Sequence, residues 1–280
     1  MESRFFIVFC SPAGSTRHVA EVIERELTTL GAETHKLDLG REHDWSRALD
    51  LIRVAGQKLC LFVGSPVYRD QAVTPVAQFL EALPNLDGGF AAPFVTWGGA
   101  SSGIALWQMG RSLTQKGLIL AGAAKVLGVH SLLWSSESPL GQGHPDGDDD
   151  MAVRRLVHEV FSRVEDGKND GLPLTALDYQ PAERAIELKE NLTGPRPVTP
   201  RSVNEAKCNQ CQTCINECPA DAITLDPYPQ FGTDCFDCFN CIRLCPEHAI
   251  EPKITLAQLE ERIRNRAETM REHPYTQIFI

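Results

Sequence analysis

Eight of the ten cysteines in this 280-residue chain fall in one stretch, twice over in the same spacing. The first set reads Cys208-x-x-Cys211-x-x-Cys214-x-x-x-Cys218-Pro219 and the second Cys235-x-x-Cys238-x-x-Cys241-x-x-x-Cys245-Pro246, an offset of 27 residues (235 − 208). The echo runs past each proline, since Cys-Pro-Ala-Asp-Ala-Ile at 218–223 returns as Cys-Pro-Glu-His-Ala-Ile at 245–250. A unit repeated at this interval predicts two half-domains packed by pseudo-symmetry, each too small to bury a core alone. Three thiols two residues apart can wrap one loop around a metal centre, and the proline after the fourth biases that cysteine away from helix. Zinc sites usually set Cys-x-x-Cys pairs across a long gap, which a triple followed by Cys-Pro does not do. A polar start, Met-Glu-Ser-Arg, ahead of a short apolar run lacks the flanks of a secretory signal, so disulfides are not expected and a reducing cytoplasm is.

With this spacing, residues 201–254 resemble bacterial-type two-[4Fe-4S] ferredoxins. The resemblance implies crossed ligation, in which the fourth cysteine of each set serves the other cluster. One cluster then takes Cys208, Cys211, Cys214 and Cys245, the other Cys235, Cys238, Cys241 and Cys218. Crossing ties the halves together, so that a short segment folds around its metal. The residue after the second cysteine, often glycine in such ferredoxins, is Gln212 in one copy and Phe239 in the other. That departure leaves ligation intact and bears on the cluster potentials. A radical-generating enzyme would need a spare three-cysteine set with an open iron, and the sequence has none.

The chain is long enough for one ordinary domain beside the small one. Its net charge of −10 argues against nucleic acid or an anionic membrane as partner and suits docking to basic redox proteins, though mild acidity is also common without meaning. The charge-free stretch 88–110 is broken by glycines, serines, Gln108 and Pro93, so it reads as strand, loop and helix start, not as a membrane span.

The first half alternates strand and helix signals. Strands are expected at Phe5–Cys10, Thr34–Leu39, Lys58–Val63, Pro93–Trp97 and Leu118–Val126. Helices are expected after Thr16, where Val19, Val22, Ile23, Leu27 and Leu30 recur at helical spacing, then at Trp45–Val54, Val73–Leu83, up to about Lys116, and at Met151–Val164. This is an α/β pattern: a doubly wound, five-stranded parallel sheet, order 2-1-3-4-5, over residues 1–166, followed by a small α+β domain. In such a sheet ligands bind beyond the carboxyl ends of the strands, between strands one and three.

Three loops lie there. Ser11-Pro12-Ala13-Gly14-Ser15-Thr16 resembles the flavodoxin phosphate loop, with Ser11, Gly14 and Thr16 matching, Ala13 lacking the usual hydroxyl and Ser15 standing where asparagine is common. Gly64-Ser65-Pro66-Val67-Tyr68 is similar to the flavin-edge loop of that superfamily, with Arg69 following, and Trp97-Gly98-Gly99 to the loop on the ring's other side. The resemblance implies flavin mononucleotide (FMN), its phosphate on hydroxyls and backbone N–H groups at a helix N-terminus and its ring between Tyr68 and Trp97. Read alone, the first loop is more often a turn with a helix cap than a phosphate site.

The remaining segments read more plainly. Cys10 and Cys60 are expected to pack in strands, Asp146–Asp150 to form a solvated acidic loop whose last residues begin a helix, and His144 to be exposed. Residues 167–200, rich in proline, read as a connector with one short helix near Ala182–Glu190. An amphipathic helix at Thr255–Glu272 and an apolar tail that docks on its own chain complete 255–280. As a whole, residues 4 to about 254 resemble the flavodoxin-like and two-cluster ferredoxin fusions of anaerobic prokaryotes, which implies electron transfer with redox partner proteins. Two alternatives stay open: a flavin-dependent oxidoreductase with Tyr68, Arg69 or His130 as proton donor, and a ferredoxin with a flavin-free docking domain.

Overall fold

The computed structural model describes residues 4–167, 170–193 and 197–280. The aromatic and β-branched run Arg4–Phe9 forms β1, and the predicted apolar stripe of Ser15–Thr29 forms α1, whose Val19, Ala20, Val22, Ile23 and Leu27 are buried. Next come β2 (Glu33–Asp38), α2 (Ser46–Ala55), β3 (Leu59–Tyr68), β4 (Gln71–Ala72), α3 (Thr74–Ala82), β5 (Phe90–Trp97) and α4 (Ala105–Gln115). Then follow β6 (Ile119–Leu120), β7 (Ala123–Leu127) and α5 (Gly147–Glu165). After α6 (Ala182–Glu190) the small domain holds β8 (Arg201–Val203), α7 (Thr213–Asn216), β9 (Ile223–Leu225), β10 (Pro229–Phe231), α8 (Asn240–Arg243) and β11 (Ile250–Pro252). The chain closes with α9 (Leu256–Met270) and β12 (Gln277–Phe279).

The parallel strands run in the order β2-β1-β3-β5-β7, the doubly wound order expected from the sequence. Helices cover both faces. On one, Val19, Ile23 and Leu27 of α1 meet Val153, Leu156 and Val160 of α5; on the other, Ile52, Phe79, Leu106 and Met109 come from α2, α3 and α4. Burial on both faces explains why these strands read as continuous apolar runs with no alternation.

The sheet departs from the expectation in three places. The third strand runs on to Tyr68, so Gly64–Tyr68 is strand and not loop, and Gly64 is required because an added Cβ would sit 2.2 Å from the Phe94 ring. The expected fifth strand is split into β6 and β7, with Ala121 and Gly122 between. The apolar tail adds β12 antiparallel to β7, a further strand that closes the sheet's edge.

Two local expectations are corrected. Asp146 is the N-cap of α5 in a reciprocal capping box, so Asp148–Asp150 lie in the first helical turn and not in a solvated loop. Asp149 is buried and accepts from His144 Nδ1 at 2.6 Å, so His144 is half-buried and paired, not exposed. The connector expected at 167–200 includes 168–169 and 194–196, Pro195 among them, which lie outside the described residues. Within 170–193, Leu177 and Tyr179 pack on the main core, so this part is no free linker. No described helix is long and apolar enough to cross a membrane.

The cysteine repeat is written into the backbone. Gln210 and Asp237 share φ 58, Gln212 and Phe239 have φ 62 and 63, and Asp221 and His248 have φ 48 and 47, each pair 27 residues apart. The positions where ferredoxins often carry glycine are therefore left-handed, which costs other residues on the order of 1–2 kcal/mol.

Candidate cofactor cavity and cysteine sites

A cavity of about 380 Å³ opens at the carboxyl ends of β1, β3, β5 and β7. Of the residues expected at a flavin, Ser11, Ala13, Gly14, Ser15, Thr16, Pro66, Val67, Tyr68, Arg69, Trp97 and Gly98 line it, and Gly99 does not. Gly14 precedes α1 at φ 102, where a side chain would be strained although nothing crowds it. The first N–H groups of α1 have no intrahelical acceptor, and hydroxyls surround them. Ser11 Oγ accepts from Arg17 N at 2.9 Å, and the Thr16 and Thr96 hydroxyls bond at 2.8 Å in a buried pair. Both hydroxyls keep capacity for a ligand.

The opposite wall is aromatic. Burial pushes the Tyr68 phenol up, and its hydroxyl bonds Ser131 Oγ at 2.6 Å. Lys125 Nζ lies 4.9 Å from the Trp97 ring centre and is paired with Glu272 at 2.8 Å. Two buried nitrogens on cavity-lining residues, Trp97 Nε1 and His130 Nδ1, have no hydrogen-bond partner among the described residues. An unpaired buried polar group costs about 1–3 kcal/mol, so a polar ligand in the cavity would relieve both. Burial pushes His130 down to about 4, so it is neutral near pH 7. Its side chain crowds Gly98, where a Cβ would stand 2.6–2.7 Å from His130 atoms.

His130, a candidate proton donor in the sequence, lines the cavity; several other lining residues were not read from the sequence as part of the site: Asp70, Ser101, Gly128, Val129, Ser131, Leu132, and Ile263 with Arg266 from α9. The loop after β7 obeys the same carboxyl-end rule that singled out the other three. Nothing in the sequence signals that α9 roofs the cavity. There Asp70 collects Arg266, Arg184 at 3.7 Å and the Ser101 hydroxyl at 2.6 Å.

The small domain meets this cavity through its second cysteine set. Phe236 packs edge-on to Tyr68 with ring centres 5.5 Å apart. Asp237 is buried and receives Arg69, Arg201 and the Thr199 hydroxyl, the last at 2.8 Å. Arg69 thus lines the cavity while its guanidinium is held by the small domain. On the other flank, Asn240 Nδ2 and Arg243 Nη2 donate to the Pro12 carbonyl at 3.1 and 3.0 Å.

Cys208, Cys211, Cys214 and Cys245 line one pocket. Cys218 lies close enough to Cys235, Cys238 and Cys241 to act on the charge of all three. The first of the two groups that crossed ligation would need therefore shares one pocket, Cys245 lying with the first three cysteines of the other copy. None of the ten cysteines is in a disulfide. Among the described residues, the ligand atoms drawn closely enough for one metal ion are those of His144, Asp146 and Asp149, the capping cluster of α5, and no cysteine triple is. Such spacing is wider than one tetrahedral zinc with sulfurs at about 2.3 Å would need. Burial pushes Cys238 and Cys241 up and Cys214 up to about 11, whereas the Thr213 hydroxyl holds exposed Cys211 down. Buried thiols of this kind become thiolates at neutral pH when a metal supplies the charge. Arg201 Nη1 donates to Cys241 Sγ at 3.2 Å.

Residues 201–224 match the 4Fe-4S binding domain family. Among curated proteins none matches the chain. Among solved structures, a flavodoxin from the domain Archaea is 18% identical, covering 58% of this chain and 99% of that one, with a TM-score of 0.45. Flavodoxin 2 from Bacillus cereus is 17% identical, covering 57% and 99% with a TM-score of 0.45. Rubredoxin oxygen:oxidoreductase from Desulfovibrio gigas is 16% identical, covering 59% of this chain and 37% of that one with a TM-score of 0.46. By its own strand order and the family match, the chain joins a flavodoxin-like, doubly wound sheet domain to a 4Fe-4S binding domain.

Proposed function

We propose that this protein transfers electrons between FMN held in the cavity and two [4Fe-4S] clusters held by the crossed cysteine sets. The observation that carries this reading is the shared wall: the loop Phe236–Phe239, between cysteines of the second set, lies against Tyr68 and Arg69 of the cavity. A 380 Å³ cavity is near the low end of the 300–1,000 Å³ usual for small-molecule sites, which suits one mononucleotide and leaves little room for a substrate above it. The Ser11–Thr16 loop would hold the phosphate at the start of α1, while Tyr68 and Trp97 would bound the ring. Bound flavin supplies a two-electron store, and each cluster a one-electron step. Ile263 and Arg266 of α9 line the cavity together with Leu132.

Anaerobic purification followed by iron, sulfide and flavin assays tests the reading. About eight irons, eight sulfides and one FMN per chain are expected. A folded protein carrying zinc and no iron, or one that binds no flavin at any concentration, would overturn it.

A further inference from the structure

We infer that electrons enter and leave through the first cysteine set, that the second set is the inner station beside the cavity, and that the face around Cys211 docks a one-electron carrier protein. This rests on the reading above that FMN fills the cavity. The argument comes from the repeat itself. At equivalent positions the two copies carry opposite chemistry: Asn209, Gln210 and Gln212 are exposed, whereas Phe236, Asp237 and Phe239 are 7%, 5% and 2% exposed. Backbone geometry is not the cause, because Gln210 and Asp237 share φ 58 and Gln212 and Phe239 differ by one degree. The side chains alone distinguish an inward copy from an outward one.

The inward copy is fitted to the sheet domain at every position. Phe236 meets Tyr68, Asp237 holds Arg69, and Phe239 lies 6.2 Å from the Trp134 ring. Cys238 packs against the apolar core that contains Tyr68 and Cys10. In the outward copy Cys211 is exposed, with Cys208 and Cys245 half-buried. A partner's metal centre can approach that thiol closely, and the side chains framing it are the amides Asn209, Gln210 and Gln212 together with Glu247, which accepts from Asn209 Nδ2 at 3.1 Å. One passage oxidises the partner by one electron, reduces the first station, and moves the same electron to the second. Two passages, with two protons from water, fill the flavin.

The double substitution Gln210→Glu and Gln212→Glu preserves shape and adds two charges at this face. Gln57→Glu with Gln115→Glu makes the same charge change on exposed residues at the amino end of the strands, away from the cavity. Holoprotein is mixed anaerobically with reduced methyl viologen, a cation, and flavin bleaching is followed in stopped flow. At low ionic strength the first pair is expected to speed bleaching by about three- to tenfold, an effect removed by high salt, and the second pair to leave the rate within about twofold. Gln210→Lys, a separate variant, is expected to slow it. Equal acceleration by both pairs, or none by the first and no slowing by Gln210→Lys, would overturn the port. Holoprotein without a flavin band would overturn the underlying reading, and the relay with it.

Discussion

Replacing Arg201 with methionine should lower the potential of one cluster and leave the other where it is. The Arg201 side chain is only 2% exposed, donates to Cys241 Sγ at 3.2 Å, and is packed between the Phe231 and Phe239 rings at 5.2 and 5.3 Å. Burial works against its charge, but neighbouring Cys235 and Cys241 with Asp237 more than offset that and hold it cationic. The first cysteine set has Thr213, an uncharged hydroxyl, as its side-chain donor to Cys211. A cluster held by Cys241, whose Sγ is 3.2 Å from Arg201 Nη1, would have its centre roughly 5–6 Å from the guanidinium, and at an effective dielectric near 20 Coulomb's law would give about 3 kcal/mol of preference for the added electron. At about 59 mV per tenfold change for one electron, that is about 130 mV. Water entering the vacated space would screen part of it, so a fall of about 60–130 mV is expected. Arg201→Lys keeps the charge but loses the fork and should fall less. Potentiometric titration with EPR detection reads both clusters in one sample. Equal shifts in the two waves, or an unchanged pair of waves with both clusters present, would refute the assignment of Arg201 as the residue that makes the clusters unequal.

Three other outcomes are expected. Cys218→Ala should cost the cluster of Cys235, Cys238 and Cys241, measured as loss of about half the iron; loss of the Cys208 cluster with retention of the other would show the crossing to be wrong. Thr16→Val should weaken FMN by about ten- to a hundredfold, as a lost charge-assisted hydrogen bond of roughly 1.5–3 kcal/mol implies, while Ala13→Thr should leave affinity equal or tighter; fluorescence titration decides. His130, pushed down to about 4 in the folded apoprotein, contributes stability that is present above its unfolded value near 6.5 and lost as pH falls toward 4. The melting temperature of apoprotein should accordingly drop over that interval, and a drop of the same size in His130→Asn would exclude this histidine as its cause.

What the sequence disclosed, and what it hid, follows from range. Cysteine spacing is set by the few residues that wrap one metal centre, so the chemistry is visible in a local string. Helix and strand periodicity is local too, and the carboxyl-end rule then places Ser11–Thr16, Tyr68 and Trp97 around one space without knowledge of any contact. The third strand's extension to Tyr68 was obscured by Gly64 and Pro66, which read as loop punctuation, whereas Gly64 is there to admit the Phe94 ring. The roof from Ile263 and Arg266, and the docking of 170–193, depend on contacts far apart in sequence, and neither leaves a pattern.

The pair Gln212 and Phe239 shows where legibility ended and why. As departures from glycine they were visible in the sequence, and only their bearing on potential could be argued. In the structure both accept a left-handed backbone at φ 62 and 63, so the same conformational cost, on the order of 1–2 kcal/mol, falls on both copies. A cost shared equally cannot explain why one position is an exposed amide and the other a buried ring. The difference must come from what each copy touches: Phe239 recovers burial against Trp134 and Arg201, and Gln212 stands in water. A repeat that is symmetric in its cysteines and its backbone, and asymmetric in the side chains between them, thus has one side fixed to its own chain and the other exposed to water.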